Sequence, residues 1–408
     1  MNIINGGICA PKGFLASATA ANIKYENRTD MAMIFSKVPA ISAGTYTTNL
    51  VKAAPVLWDR NITDGEAAVN AIVINSGIAN ACTGDEGMDY CKQSAKKVAM
   101  EFSVNENSVL LASTGVIGMQ LPIDRICKGI ESLSKFLEQS EKAANEAAKA
   151  IMTTDTVSKE VAIEFEINGK TVKMGGMCKG SGMIHPNMCT MLGFITTDVN
   201  ISKELLLKAL REDVVDTFNM VSVDGDTSTN DSLIILANGL AENEKIICEN
   251  SEEYKIFKSN LNFVTTSLSK MIAGDGEGAT ALFEVVIEGA KTKETARTLA
   301  KSVITSSLTK AAIFGHDANW GRILCALGYS GEKFDPDDME LYFESENGRI
   351  LIYKDGVSVG FDEDMATKIL SAKEVRALVK LNMGEFCATA WGCDLTFDYV
   401  KINADYRS

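Results

Sequence analysis

One threonine in this sequence lies where a glycine-rich segment meets an apolar run, an arrangement that suits a nucleophile. Residues 179–192 read Lys-Gly-Ser-Gly-Met-Ile-His-Pro-Asn-Met-Cys-Thr-Met-Leu, and residues 191–195 form a short, strand-like apolar run. If the chain is cut just before Thr190, the new α-amine lies next to the hydroxyl of the same residue. Because an α-amine has an ordinary pKa of about 8, Thr190 would then supply both base and nucleophile.

A second segment offers hydrogen-bond donors that an acyl-transfer reaction needs. Residues 113–118 read Ser-Thr-Gly-Val-Ile-Gly and follow the apolar run 109–112. A backbone N–H freed at Gly115, together with the Thr114 hydroxyl, could stabilise a developing oxyanion. Taken alone, the segment is better explained as an ordinary turn after a strand.

Three further polar segments carry chemistry-bearing side chains without fixing a role. Residues 224–231, Asp-Gly-Asp-Thr-Ser-Thr-Asn-Asp, could hold a ligand or cap the next element, and both interpretations stay open. Residues 315–322 form a polar loop around His316. Residues 401–408 are polar and follow an apolar stretch, so a frayed tail is the default expectation.

Several common catalytic patterns are missing from the sequence. It contains no Gly-x-Ser-x-Gly elbow, Walker A loop or HExxH helix. The glycines at 274–278 follow a helical pattern rather than a strand, which weakens a dinucleotide-binding interpretation. The two histidines, His185 and His316, are expected to be structural. The ten cysteines show no CxxC pair, so we expect reduced, mostly buried thiols, no metal site and no cofactor.

Bulk composition excludes some classes of partner. The 408 residues suffice for two or three domain-sized units, and 23% are charged. The net charge of −14 and the lack of a basic cluster argue against nucleic acid and anionic membranes. The N-terminus lacks a signal-peptide pattern, and no apolar run approaches the roughly 18 residues of a membrane span. We therefore expect a cytoplasmic protein.

Periodicity alternates between helical and strand-like along the chain. Hairpins are predicted at Asn168-Gly169 and Asn347-Gly348. This mixture favours an α/β fold with mixed or antiparallel sheets over a doubly wound parallel one. The other predicted elements are helices over 133–151, 205–218, 260–273, 294–309 and 364–381, and strands over 71–75, 233–236, 282–287 and 395–402.

Together these segments resemble the ornithine acetyltransferase family, also called glutamate N-acetyltransferases, of the cyclic arginine pathway. The resemblance runs essentially from end to end, and the order of the motifs makes it specific. The segments that carry it are residues 10–14, 80–84, 113–118, 152–156, 179–192, 224–231, 315–322 and 403–406.

The resemblance implies a self-cleaving precursor. The cut would fall between Cys189 and Thr190, giving an α chain of residues 1–189 and a β chain of residues 190–408. The two chains would stay together and pair further as α2β2. The implied fold is an αββα-type sandwich with mixed or antiparallel sheets, similar to that of N-terminal-nucleophile hydrolases but with different connectivity.

The resemblance also implies the reaction and its residues. An acetyl group would pass from N-acetylornithine to glutamate by a ping-pong mechanism through acetyl-Thr190, and some family members also use acetyl-CoA. No motif in this chain decides whether acetyl-CoA is a donor. Two positions depart from the family, since Cys189 replaces the usual alanine and Ser408 a common threonine. The implied oxyanion pair is Thr114 and Gly115, and the implied substrate contacts are Thr153, Lys179, Thr190, Glu277, Asn403 and Ser408.

Two alternatives come from other functional classes. A self-cleaving amidase or aminopeptidase of similar architecture would pass the acyl group to water, and residues 179–192 argue against it. A non-catalytic amino-acid-binding protein of α/β type would remain one intact chain and form no acyl adduct.

Overall fold

The computed structural model describes residues 1–185 and 191–404. The chain divides into two compact units. The first comprises residues 1–180, 191–215 and 227–268, and the second comprises residues 181–185, 216–226 and 269–404. The predicted site residues Cys189, Thr190 and Ser408 lie outside the described residues.

Sixteen strands occur within the described residues. They are β1 (Asn2–Ile4), β2 (Phe14–Thr19), β3 (Met31–Tyr46), β4 (Val69–Asn75), β5 (Val109–Ser113), β6 (Lys159–Ile167), β7 (Lys170–Lys179), β8 (Leu192–Thr197), β9 (Val221–Ser222), β10 (Ser232–Ala237), β11 (Leu282–Ala290), β12 (Met339–Ser345), β13 (Gly348–Lys354), β14 (Val357–Ser358), β15 (Glu374–Leu381) and β16 (Phe386–Cys393).

Eleven α-helices occur in the same part of the chain. They are α1 (Ala54–Thr63), α2 (Asp85–Phe102), α3 (Ile123–Lys135), α4 (Glu141–Ala150), α5 (Lys203–Val214), α6 (Glu252–Gly274), α7 (Lys293–Thr305), α8 (Ser307–Phe314), α9 (Trp320–Gly328), α10 (Glu363–Leu370) and α11 (Phe397–Ala404). No helix of the described residues is both long and apolar enough to cross a bilayer.

The first unit is built on a nine-stranded sheet in the order β1-β6-β7-β8-β10-β3-β4-β5, with β2 paired to β3. The pairs β4–β5 and β8–β10 are parallel, and the other pairs are antiparallel. Every residue of β4, β5, β8 and β10 is buried. Strands buried along their whole length require both faces of the sheet to be covered.

Alternating side chains of this sheet enter two separate cores. Ile72 and Ile74 of β4 join a cluster that includes residues of α1 and α4, such as Ala147. Ala71 and Val73 join a second cluster that includes residues of α2 and α3. This period of two follows from the pleat of a strand, in which successive side chains point to opposite faces.

The second unit has a seven-stranded sheet in the order β14-β13-β12-β15-β11-β16-β9. The pairs β11–β15 and β16–β9 are parallel, whereas the others are antiparallel. Both sheets are therefore mixed, as the sequence predicts. Both predicted hairpins are also present, and Asn168 and Gly169 have the positive φ angles, 49° and 74°, that a two-residue type I′ turn requires.

The single helix predicted over 133–151 is wrong, because two helices occupy this region. Helix α3 ends at Lys135, and α4 begins at Glu141. Between them the N–H and C=O of Glu138 pair with the C=O and N–H of Ala16, both at 3.0 Å. The Ser140 side chain then accepts the Ala143 N–H at 3.1 Å and starts α4. A bridge to a distant strand thus interrupts an otherwise helical pattern.

The helix predicted over 364–381 is correct only in its first half. Helix α10 ends at Leu370, and the remainder forms β15 between β12 and β11. Val375, Ala377 and Val379 are buried on alternate residues, which is the strand period. Residues 374–381 are too short and too apolar a run for periodicity alone to distinguish a helix from a strand.

The strand predicted over 395–402 is also wrong. The last strand is β16, and residues 397–404 form α11, whose start is capped by the Thr396 hydroxyl accepting the Tyr399 N–H at 3.4 Å. Phe397 and Val400 are 84% and 65% exposed, so their β-forming side chains are not buried in a sheet. The expected frayed tail is helical up to Ala404, and residues 405–408 lie outside the described part of the chain.

Candidate active site

The turn after β5 contains Thr114 and Gly115, the two residues of the implied oxyanion pair. Strands β4 and β5 are parallel neighbours that end in register at Asn75 and Ser113. The Thr114 N–H donates to the Asn75 carbonyl at 3.0 Å. The Gly115 N–H has no hydrogen-bond acceptor among residues 1–185 and 191–404. It is therefore available to a ligand oxygen.

Gly115 is required at this position by both backbone angle and space. Its φ angle is +126°, and a Cβ atom there would lie 2.3 Å from the carbonyl carbon and oxygen of Gly77. The backbone of the turn is also fixed by the Val116 N–H, which donates to the Gly77 carbonyl at 3.1 Å. A side chain at residue 115 would displace this packed backbone.

Two of the predicted substrate-site residues meet directly in the first unit. The Lys179 ammonium donates to the Thr114 hydroxyl oxygen at 3.2 Å, and both residues are buried. Because the hydroxyl oxygen accepts from a cation, its own hydrogen becomes a better donor to a second oxygen. Lys179 is the last residue of β7, so strand pairing sets where its side chain begins.

Asp155 links segment 152–156 to segment 179–192, and the sequence assigned it no role. Its carboxylate accepts the Lys159 ammonium at 2.6 Å, the Gly180 N–H at 2.7 Å and the Thr153 N–H at 3.0 Å. The side chains of Asp155 and Lys159 are fully buried. Burial acts to raise the pKa of Asp155, but Lys179 and Lys159 outweigh it and keep the pKa below its ordinary value.

The backbone of Thr153 is held from the other side as well. The Arg28 guanidinium donates to the carbonyls of Met152 and Thr153 at 2.8 and 3.1 Å. Thr153 is only partly buried, so its side chain stays accessible while its backbone is anchored. An accessible side chain on an anchored backbone suits a substrate contact.

The strand that follows Thr190 is paired on both sides from its first residue. Leu192 of β8 is in register with Lys179 of β7 and with Ser232 of β10. The Ser232 N–H also donates to the Met191 carbonyl at 3.0 Å. The chain directly after Thr190 is therefore part of the sheet interior.

In the second unit, two of the implied substrate contacts, Glu277 and Asn403, are hydrogen-bonded to each other. The Asn403 side-chain amide donates to a Glu277 carboxylate oxygen at 2.7 Å, and Glu277 is buried. No lysine, arginine or histidine within the described residues forms an ion pair with Glu277. A Cβ at Gly182 would lie 2.3 Å from the Glu277 carboxyl carbon, so only glycine allows this approach.

The polar loop 224–231 divides into two parts with different roles. Asp224, in the second unit, accepts the N–H groups of Met183 and Ile184 at 2.6 and 2.8 Å. Met183 has a positive φ of 56°, a conformation that such bonds stabilise. Asp231, at the other end, belongs to the first unit and is almost completely buried.

The two histidines do not supply a general base for a triad. His185 lies 3.1 Å from the Ser222 hydroxyl, but burial and the nearby Lys301 ammonium lower the pKa of His185 to about 4. An imidazole with so low a pKa is a weak base near neutral pH. His316 is exposed in a turn with φ of 53°, next to the Asn319 cap of α9.

The described residues also bear on the expectations for metal ligands and cysteines. Within them, no group of three His, Cys, Asp or Glu side chains could hold a metal ion. The nine cysteines in that part of the chain are free, as expected, but only Cys9, Cys91, Cys178 and Cys393 are buried. The expectation of mostly buried thiols is therefore wrong.

Comparisons with known proteins agree along the whole chain. The ArgJ family model matches residues 15–408. The arginine biosynthesis bifunctional protein ArgJ 1 of Clostridium acetobutylicum is 52% identical over 395 residues, which are 97% of this chain and 96% of that protein. The glutamate N-acetyltransferase of Methanocaldococcus jannaschii is 46% identical over 414 residues, which cover both proteins completely.

Solved structures that resemble the chain include one that covers about half of it. The crystal structure of arginine biosynthesis bifunctional protein ArgJ from Bacillus halodurans is 45% identical, with a TM-score of 0.50. The match covers 53% of this chain and 99% of the solved chain.

Proposed function

The chain belongs to the ArgJ family and is an ornithine acetyltransferase and glutamate N-acetyltransferase of arginine biosynthesis, and we propose that Thr190 carries the acetyl group. The observation that carries this proposal is the donor pair at the end of β5. The Gly115 N–H, which has no acceptor in the described part of the chain, and the Thr114 hydroxyl bonded to the Lys179 ammonium form the kind of preorganised donor set that stabilises an oxyanion.

The nucleophile is released by self-cleavage. The Thr190 hydroxyl attacks the Cys189 carbonyl, and the peptide bond is replaced by an ester to the Thr190 oxygen. Water hydrolyses the ester, leaving a carboxylate on Cys189 and a free amine and hydroxyl on Thr190. Residues 190–408 make up 219 of the 408 residues. This share of the chain is close to the 53% that the Bacillus halodurans chain covers.

Acyl transfer then uses the released residue twice. The Thr190 hydroxyl attacks the acetyl carbonyl of N-acetylornithine, its proton passes to the α-amine, and ornithine leaves with that proton on its own amine. The amine of glutamate attacks acetyl-Thr190, which regenerates the hydroxyl and yields N-acetylglutamate. The donors at Thr114 and Gly115 stabilise the oxyanion in both half-reactions. A single good donor contributes about 3–4 kcal/mol to the stability of the transition state.

Charge suggests how the two amino acids are recognised. Lys179 would attract the α-carboxylate that both substrates share, and Asp155 keeps that cation in place electrostatically. Glu277 accepts a hydrogen bond only from the neutral Asn403 amide among the described partners, so its charge is available to the side-chain ammonium of ornithine. Thr153 and Ser408 complete the proposed contacts.

The remaining parts of the proposal concern partners and location. The name bifunctional of the relatives supports acetyl-CoA as a second acetyl donor for glutamate. The fragments 1–189 and 190–408 would remain associated and pair as α2β2 in the cytoplasm. A self-cleaving amidase is the alternative function, and it predicts free acetate instead of N-acetylglutamate.

Intact mass measurement tests the nucleophile. Wild-type protein should give two fragments that meet between Cys189 and Thr190, and brief exposure to N-acetylornithine should add one acetyl mass to the 190–408 fragment only. The Thr190→Ala variant should stay uncut, whereas Thr190→Ser, which keeps a hydroxyl, should still cut. Two fragments from Thr190→Ala, or an acetyl group on the 1–189 fragment, would refute the assignment.

A further inference from the structure

We propose that Asp231 is a positioning residue for this reaction, holding the backbone at Met191 so that the residue before it begins the second chain at a fixed place. The inference rests on the proposed function of Thr190. It goes further by assigning a role to a buried acid that lies in segment 224–231 but is not among the oxyanion residues or substrate contacts that the resemblance implies.

Asp231 and its neighbour secure both backbone polar groups of Met191. The Met191 N–H is hydrogen-bonded to the Asp231 carboxyl, and the Met191 carbonyl accepts the Ser232 N–H at 3.0 Å. Asp231 itself is anchored because its carbonyl accepts the Thr47 N–H at 3.1 Å. Strand pairing of β10 with β8 therefore extends by one residue toward Thr190 through a side chain.

Covalent geometry carries this contact to the reacting residue. The Met191 nitrogen is bonded to the carbonyl carbon of Thr190, and consecutive Cα atoms are only about 3.8 Å apart. A group that fixes the Met191 N–H therefore restricts the direction in which the chain leaves Thr190. Misplacing a nucleophile by about 1 Å can reduce a rate about a hundredfold.

The surroundings of Asp231 disfavour its charged form. It is 2% exposed, and its Oδ2 has no hydrogen-bond partner within the described residues. Burial raises the pKa of Asp231 well above its ordinary value, although Ser228, Lys179 and the Met191 N–H act in the opposite direction. A buried carboxyl oxygen without a partner destabilises a fold, so an acid at this position calls for a functional reason.

A carboxyl whose charged form is disfavoured can accept the Met191 N–H while adding little negative charge to this part of the chain. Negative charge near an amine raises its pKa and keeps it protonated, whereas the base for the reaction must be a free amine.

The matched control is Asp198, which follows the last residue of β8, at the end of that strand remote from Met191. Asp198 is also buried, and it accepts the N–H groups of Lys12 and Lys173 at 3.0 and 2.8 Å. Burial raises the pKa of Asp198 as well. It thus shares the chemistry of Asp231 but contacts the end of β8 that is remote from Met191.

The test compares Asp231→Ala, Asp231→Asn and Asp198→Ala in the full chain, with every rate normalised to folded protein. Asp231→Ala should slow both self-cleavage and kcat by at least about tenfold with little change in the KM for N-acetylornithine. Asp231→Asn should recover most of both rates, because its amide oxygen still accepts the Met191 N–H. Asp198→Ala should leave both rates near those of the wild type.

Three results would overturn the positioning role. Asp231→Asn as slow as Asp231→Ala would mean that the carboxyl acts through its charge or proton. Asp231→Ala no slower than Asp198→Ala would reduce Asp231 to a structural residue. If Asp231→Ala does not fold, the pH profile of Asp231→Asn decides, because an acid limb of kcat/KM moved to lower pH would reveal an ionised Asp231 paired with the amine.

The wild-type protein in the same assay separates this inference from the function on which it depends. Wild-type protein that stays uncut and forms no N-acetylglutamate would refute the proposed function and the positioning role together. Wild-type activity with an unaffected Asp231→Ala variant would refute the positioning role alone.

Discussion

Replacing Asp155 with asparagine should destabilise the first unit strongly, although the change is nearly isosteric. The Asp155 carboxylate is paired with the Lys159 ammonium at 2.6 Å, and neither side chain is exposed. The Gly180 N–H is bonded to Oδ1 and the Thr153 N–H to Oδ2, so asparagine, with one side-chain oxygen, keeps only one of these two bonds. It loses the charge that compensates the buried ammonium.

The magnitude follows from that uncompensated charge. Removing one partner of a buried ion pair costs about 3–5 kcal/mol of the free energy of unfolding, because the other partner stays buried without its counter-charge. Adding Lys159→Met to Asp155→Asn removes the ammonium and keeps a side chain of similar length. The double variant should therefore be more stable than Asp155→Asn alone.

Urea unfolding in a Thr190→Ala background provides the assay, since one covalent chain then unfolds. Hydrogen exchange of peptides from β6 and β7 would report the first unit specifically. The folded-state pKa of Asp155 is lowered, so its contribution to stability is present above its ordinary pKa of 3.8 and is lost as the pH falls through the folded value. The difference between parent and Asp155→Asn should accordingly shrink in acid.

Two results would refute this reasoning. A loss of less than about 1 kcal/mol for Asp155→Asn would mean that Lys159 is compensated elsewhere or deprotonates at little cost. A double variant no more stable than Asp155→Asn would show that the loss comes from hydrogen bonds rather than from the unpaired ammonium.

Three other variants probe the site. Thr114→Val should lower kcat about 10²–10³-fold while Thr114→Ser retains most activity, as steady-state assays of acetyl transfer would reveal. Gly182→Ala should raise the KM for N-acetylornithine more than that for glutamate, because its Cβ would displace the Glu277 carboxyl. His185→Gln should lose less stability than the parent between pH 6.5 and about 4, measured by urea unfolding. In the parent, His185 binds a proton in the unfolded state at a higher pH than in the folded state, so stability falls as the pH falls through this range. An unchanged rate, an unchanged KM or an unchanged acid sensitivity would contradict the respective expectation.

The sequence predicts those parts of the site that depend on local geometry. A glycine after a buried strand indicates a freed N–H, and the structure has one at Gly115. The hairpin at Asn168-Gly169 and the mixed sheets are likewise local consequences of turn chemistry and periodicity. The resemblance adds Thr114, Lys179, Glu277 and Asn403, which meet in two pairs, one in each unit.

Long-range contacts explain what the sequence could not predict. Asp224 and Asp231 are seven residues apart in one polar loop, yet one is bonded to the loop at Met183 and the other to the start of β8. No local pattern distinguishes them. The contact between the Asp155 carboxylate and the Gly180 N–H was equally hidden, because it arises only when β6 and β7 pair.

The order of strands in the first sheet has a consequence for the two products of the proposed cut. β8 and β10 come from residues after Thr190, whereas β7 on one side and β3 on the other come from residues before it. Strands of the two fragments therefore alternate within one sheet. Separating the fragments would break the backbone hydrogen bonds between β7 and β8 and those between β10 and β3. If the proposed cut occurs, fragments expressed from two genes would have to fold around each other, the intact precursor would act as its own assembly template, and dilution alone should not separate the two chains.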